Sequence, residues 1–167
     1  MQNIFISIKG VTKLIVRKYH SKNCHKIAEL FYDTIHSVNA ADYTKTQLDA
    51  WAPKNMDLCE WDSKLSNNYS VVVEKDNMII GFGIADETGY FDLLYIHKDY
   101  QGIGAATLIA DNIEEYIYHK GIKIITIAAS ITAKPFFEKR GYLVLQEQNV
   151  ECRGQCFNNF KMQKKLR

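Results

Sequence analysis

The chain has 167 residues, with 21 Lys and Arg set against 19 Asp and Glu, and 47% of its residues are hydrophobic. That length builds one domain with a substantial core, residues 1–167, and leaves no room for two well-packed ones. The near-balance of charge, with only the short run Lys161 to Arg167 as a basic block, gives no support to a general nucleic-acid surface.

Met1 to Lys9 alternates apolar and polar residues without the basic start, long apolar centre or cleavage site of a signal peptide. No apolar run approaches the ~20 residues of a membrane span, so no membrane partner is expected. Leu14 to Tyr19 reads as a strand. Asn23 to Val38 places Ile27, Leu30, Phe31, Thr34, Ile35 and Val38 on one helical face. Thr44 with Gln47 makes a capping box for a short helix to Ala50, and Pro53 ends that segment. Ser70 to Glu74 and Met78 to Ala85 flank Lys75-Asp76-Asn77, the signature of a hairpin. Gly89 opens the next strand, which runs to about Ile96.

Gln101 to about His119 reads as an amphipathic helix that buries Ala106, Ile109, Ile113, Tyr116 and Ile117 and stops at Gly121. The β-branched run Ile122 to Ala128 predicts a strand covered on both faces. Thr132 is placed to cap a short helix with Pro135 in its first turn and Gly141 at its exit. Tyr142 to Gln148 and Phe157 to Gln163 finish as two strands. The order β-α-α-β-β-β-α-β-α-β-β predicts an α+β domain with a mixed sheet, parallel where a helix crosses over. Cys24, Cys59, Cys152 and Cys156 are scattered. The spacing of the last pair fits neither zinc nor redox chemistry, and no His pair completes a metal set. Reduced thiols in a cytoplasmic protein, with no metal, are the expectation.

Gln101-Gly102-Ile103-Gly104-Ala105-Ala106 is the most informative stretch. It follows an apolar strand and opens a long helix, leaving main-chain N–H groups uncovered where the helix dipole favours negative charge. Such a place holds a phosphate or diphosphate. A nicotinamide-binding fingerprint fits poorly, because it needs an acidic residue about 20 positions on, where Gly121 stands.

With Gln101, Gly104 and Ala106 at the three defining positions, this stretch resembles the acyl-CoA signature Arg/Gln-x-x-Gly-x-Gly/Ala of the GCN5-related N-acetyltransferase (GNAT) superfamily. Ala128 to Tyr142 resembles the family's Asn-x-x-Ala-x-x-Phe-Tyr-x-x-x-Gly-Phe block, with Ser130 in place of Asn and Phe137 in place of Tyr. Trp51-Ala52-Pro53 and the ending from Gly154 through Asn159, Phe160 and Met162 resemble a bacterial YafP-like subgroup. The resemblance covers about residues 13–165. It implies a GNAT fold, a mixed central sheet of six to seven strands flanked by about four helices, and acetyl-CoA as cosubstrate.

The resemblance also implies roles for particular residues. The amides of Gln101, Gly102, Ile103, Gly104, Ala105 and Ala106 would bind pyrophosphate. Backbone N–H groups at Leu94, Tyr95 and Ile96 would hold the thioester carbonyl and pantetheine, and such donors are worth ~3 kcal/mol each in related settings. Ser130 is either a pantetheine contact or the start of a turn. Phe136 and Phe137 serve the core and the cofactor wall alike. Phe137 cannot donate the proton that the family Tyr often gives to the departing thiolate.

An alkyl ammonium titrates near ~10, so the acceptor needs help in losing its proton. Asp92 is the first candidate base and equally a salt-bridged strand residue; Glu87 and His97 are lesser ones. Tyr95 or Tyr142 is placed to protonate the thiolate. Trp51, Trp61 and His97 are acceptor-side candidates, with packing or a loop role as the alternative for each. The expected function is N-acetylation of a small-molecule amine. A non-catalytic acyl-CoA sensor, or an acceptor amine on a protein or aminoacyl-tRNA, stays open. So does a homodimer paired through the final strands.

Overall fold

The computed structural model describes residues 13–167; the segment Met1 to Lys9 lies outside the described residues. Strand β1 (Leu14–Lys18) pairs antiparallel with β2 (Tyr69–Lys75), which turns back as β3 (Met78–Ala85) and then β4 (Phe91–Ile96). The turn between β2 and β3 is Asp76-Asn77, at φ of 50° and 64°, a left-handed conformation that short polar side chains tolerate. Helices α1 (Cys24–Ser37), α2 (Lys45–Trp51) and α3 (Leu58–Asn67) cover one face of this sheet, and α4 (Ala105–His119) covers the other. Along β2, Val72 packs with the first group while Val71 and Val73 pack with α4.

Gly83 sets how closely α4 lies on the sheet. A Cβ on Gly83 would sit 2.4 Å from Ile109 Cγ2, and one on Gly81 would sit 2.5 Å from Ile96 Cδ1. The Ile96 methyl beside Gly81 can swing aside, whereas Ile109 Cγ2 sits on the branched Cβ of an α4 residue, so bare backbone at Gly83 is the packing requirement.

After α4 come β5 (Ile124–Ser130), α5 (Lys134–Lys139), β6 (Leu143–Cys152) and β7 (Gln155–Lys165). The last three strands form a second antiparallel sheet in the order β5-β7-β6. The expected mixed sheet is thus two antiparallel sheets whose inner strands, β4 and β5, run parallel. They are joined at one bridge, Tyr90 to Thr126, where the Thr126 N–H donates to Gly89 O at 3.0 Å. Beyond that bridge the two strands part and leave a wedge between the sheets. The α+β class stands, with seven strands and five helices among the described residues.

The capping box at α2 has both halves: Gln47 N–H donates to Thr44 Oγ1, and Gln47 Oε1 accepts from Thr44 N–H. Four expectations need correction. Helix α3 was not anticipated, although Asp57 caps it by accepting from Cys59 and Glu60 N–H, and Leu58, Trp61 and Leu65 carry helical spacing. Helix α4 starts at Ala105 because Gly102 and Gly104 hold φ of 75° and 90°, outside the helical region. Strand β5 buries only Ile125, Ile127 and Ala129, since it edges its own sheet and turns its other side to solvent and the wedge. Thr132 does not cap α5; its hydroxyl donates to Asp42 Oδ2 at 2.6 Å and accepts from Asn39 Nδ2.

Candidate active site

A β-bulge decides what β4 shows to the wedge. Its register with β3 matches Phe91 to Ala85 and Leu93 to Ile84, so Asp92 is an extra residue with no partner. A bulge shifts the alternation of a strand by one. Phe91 accordingly packs with the α4 cluster, whereas Leu93 and Tyr95 pack with the α1–α3 cluster. Strict period-two reading of Phe91 to Ile96 would have put all three on one side.

The hydrogen-bond phase follows from the other end. His97 N–H donates to Ile80 O at 2.8 Å, so alternation makes Tyr95 and Phe82 the next bonded pair. The amides of Leu94 and Ile96 therefore point away from β3, into the wedge, while that of Tyr95 is turned to β3. Of the three backbone donors expected, two face the wedge, and Tyr95 contributes its side chain instead. The Ile96 carbonyl accepts from Gln101 Nε2 at 2.6 Å and from Thr34 Oγ1 at 3.3 Å, which ties the glycine loop to the strand end.

That loop leads into α4. A Cβ on Gly102 or Gly104 would meet nothing within 4 Å, so these glycines serve backbone shape and not close packing. No acidic residue occupies the first turn of α4, and its cap, Gly104, has no side chain. The first-turn amides have no carbonyl partners within the helix. The loop and helix start thus fit a phosphate: donors converge, the dipole is favourable, and no Cβ fills the space. Gln101 and Ala106 line the adjoining cleft; Ile103 is exposed at the loop tip, and Ala105 is buried against the sheet.

Two clefts meet in the wedge. One of about 190 Å³ runs along Leu94, Ile96, Ala106, Ala129 and Phe136 toward the loop. The other, of about 240 Å³, opens toward Tyr43, Tyr90, Val150 and Phe157. Trp51, Asp92, Tyr95, Ala128 and Ser130 border both. Asp92 Oδ2 lies 2.8 Å from Lys64 Nζ, which reaches over from α3. Burial, then the neighbouring Asp92 charge, raises the Tyr95 phenol above its ordinary value, and a hydrogen bond with the Trp51 indole works the other way. Tyr95 therefore keeps its proton at neutral pH. Ser130 Oγ accepts from Ala133 N–H at 3.1 Å and begins the turn into α5. Phe137 is fully buried against Phe91, Phe136 and Tyr142, with its edge on the first cleft.

Other sequence candidates are placed elsewhere. Tyr142 borders neither cleft; it is buried and donates to Glu114 Oε1 at 3.1 Å, within a group that includes Arg140 and Lys164. His97 borders neither cleft, because its Nδ1 accepts from Asp99 N–H and caps a short turn. Trp61 packs on Phe31 in the α1–α3 core, and Glu87 is exposed in the β3–β4 turn. Tyr43 was missed. Its hydroxyl accepts from Ile131 N–H at 3.0 Å and donates to Asn158 O, and no local pattern marks a tyrosine between two helices as part of a cleft.

A wedge between two sheets, fed by a glycine loop at a helix start, is the arrangement of an acyltransferase of the GNAT fold. The chain matches the acetyltransferase (GNAT) domain over residues 39–166 and belongs to that family. It is an N-acetyltransferase by that membership. It is 31% identical over 150 residues to the uncharacterised N-acetyltransferase YafP of Escherichia coli (strain K12), covering 90% of this chain and 95% of that one. A GCN5-related N-acetyltransferase from Rhodopseudomonas palustris superposes with a TM-score of 0.88 at 29% identity, over 96% of this chain and 99% of the other. YncA from Salmonella typhimurium, solved with its cofactor acetyl-CoA, shares the fold with a TM-score of 0.70 at 14% identity, over 92% of this chain and 94% of the other.

Proposed function

We propose that this chain transfers an acetyl group from acetyl-CoA to the amine of a small molecule. The observation that carries this reading is the continuity of the wedge with the loop. Leu94 and Ile96 amides, the first cleft and the Gln101–Ala106 backbone lie along one path from the reacting end of a CoA thioester to its pyrophosphate. The amides of Gly102 to Ala106 would hold the pyrophosphate, and those of Leu94 and Ile96 would polarise the thioester carbonyl. The acceptor enters from the second cleft.

In the reaction, the amine nitrogen bonds to the acetyl carbon as the C–S bond breaks and the sulfur leaves with its electron pair. Asp92, where the two clefts meet, takes the proton that the nitrogen releases. Tyr95, a protonated phenol beside it, supplies one to the sulfur, the role that Phe137 cannot fill. The result is an amide and free CoA thiol. The four free cysteines fit a reducing, cytoplasmic setting, and no described helix is long and apolar enough to cross a membrane.

Calorimetric titration with acetyl-CoA tests the reading. Wild type binds, and Gly104→Arg, which fills the phosphate cradle, does not. Undiminished binding by a folded Gly104→Arg protein would overturn the loop assignment.

A further inference from the structure

The second cleft is walled by rings. Tyr43, Trp51 and Phe157 contact one another with centroids 5.2 to 5.9 Å apart, two of the three pairs edge to face; Tyr90 and Tyr95 add two more rings, and Ser130, Asn158 and Asn159 supply neutral polar groups to the same lining. Among the described residues, Asp92 is the only charged one lining either cleft, and Lys64 already neutralises it at 2.8 Å. At about 240 Å³ the space falls short of the ~300 Å³ at which pockets for drug-sized ligands begin.

These facts select among amines. An amino acid or peptide acceptor brings a carboxylate, and among the described residues neither cleft is lined by a Lys or Arg to meet it, Lys64 being engaged by Asp92; burying that charge unpaired is costly. A polyamine or aminoglycoside brings several cations, and its recognition needs several carboxylates where one, already paired, is present. A ring on a short linker meets aromatic edges and faces on most sides, an arrangement that favours offset or T-shaped contact. We propose that the acceptor is a compact aromatic primary amine whose nitrogen is its one charged group. This inference rests on the acetyl-transfer reading above.

The test uses the full chain with acetyl-CoA, free thiol release as the readout, and phenethylamine, phenylalanine and spermidine as acceptors. Phenylalanine differs from phenethylamine by the carboxylate alone. Phenethylamine is expected to give kcat/KM at least about tenfold above both others. Calorimetry with acetyl-CoA, run separately, separates the two readings. If acetyl-CoA binds but spermidine or phenylalanine matches phenethylamine, or no amine is turned over, the acceptor class is wrong while the cofactor site stands. If acetyl-CoA does not bind, both fall. Val150→Arg gives a second check, since Val150 faces Phe157 across the β6–β7 pair and lines only the second cleft. The added cation should lower phenethylamine kcat/KM about tenfold or more, raise that for phenylalanine, and leave acetyl-CoA affinity within about twofold. An unchanged preference in this variant would overturn the proposal.

Discussion

Lys64 Nζ lies 2.8 Å from Asp92 Oδ2, so the carboxylate at the meeting point of the two clefts is held by a cation from helix α3. The bulge at Asp92 makes this contact feasible, because it turns a residue of the wedge-facing strand β4 out of the regular alternation. Asp92→Asn keeps the shape and removes the proposed base. Turnover should fall by about 10²-fold, the lower range for a positioned proton acceptor, with acetyl-CoA affinity unchanged. Steady-state kinetics beside calorimetry checks this. Full activity in the Asn variant would reduce Asp92 to a salt-bridge partner.

Tyr95 and Phe137 make opposite predictions. Tyr95→Phe removes the phenol where the clefts meet and should lower kcat about tenfold, a modest loss because a thiolate is a tolerable leaving group. Phe137→Tyr restores the residue type common in the family but should not raise activity. Its hydroxyl would enter a cluster of Phe91, Phe136 and Tyr142 that leaves Phe137 no exposed surface, at a cost of about 1–3 kcal/mol if unpaired. A Phe137→Tyr protein that is both as stable and faster than wild type would show that the proton comes from that position.

The glycines of β3 and of the loop separate packing from binding. Gly83→Ala should destabilise by about 1–3 kcal/mol, because its methyl meets Ile109 and Ile113 and α4 must lift. Gly102→Ala has open space around its Cβ and should cost about 1 kcal/mol for its left-handed backbone, while weakening acetyl-CoA binding by about tenfold or more. Urea unfolding and calorimetry on the same two proteins check the contrast. Equal acetyl-CoA affinity in Gly102→Ala and wild type would contradict the phosphate cradle.

Much of this was legible in the sequence where local chemistry decides. The capping box at Thr44, the Asp76-Asn77 turn and the positive-φ glycines at Gly121 and Gly141 are set by a few adjacent residues. The loop at Gln101–Ala106 was readable for the same reason. What depends on distant partners was not. The Asp92 bulge exists because of how β3 pairs with β4, and no feature of Phe91 to Ile96 announces an unpaired residue. Tyr142 follows Gly141 in a motif block, yet its hydroxyl is committed to Glu114, fifty residues from the Lys164 that shares that carboxylate. Tyr43, just before α2, meets Phe157 because α2 packs on β7, and the second cleft is built from such meetings.

Tyr142 makes the fold sensitive to alkali. Burial, then the Glu114 carboxylate, raises its phenol above the ordinary value, and Arg140 offsets only part of this. The unfolded chain releases the proton first, near the usual phenol value of about 10. Above that pH the unfolded state binds fewer protons than the native one, so unfolding free energy falls as pH rises. The stabilising contribution is complete below about pH 10 and is lost as pH climbs through the raised native value. Tyr142→Phe should cost about 1 kcal/mol near neutral pH, since Glu114 loses one donor but keeps Arg140 and Lys164. It should also make the alkaline decline shallower. Urea midpoints across the alkaline range test both effects. Parallel declines in the two proteins would mean that the Tyr142 phenol titrates alike whether the chain is folded or not, and that its hydrogen bond to Glu114 does not hold the proton.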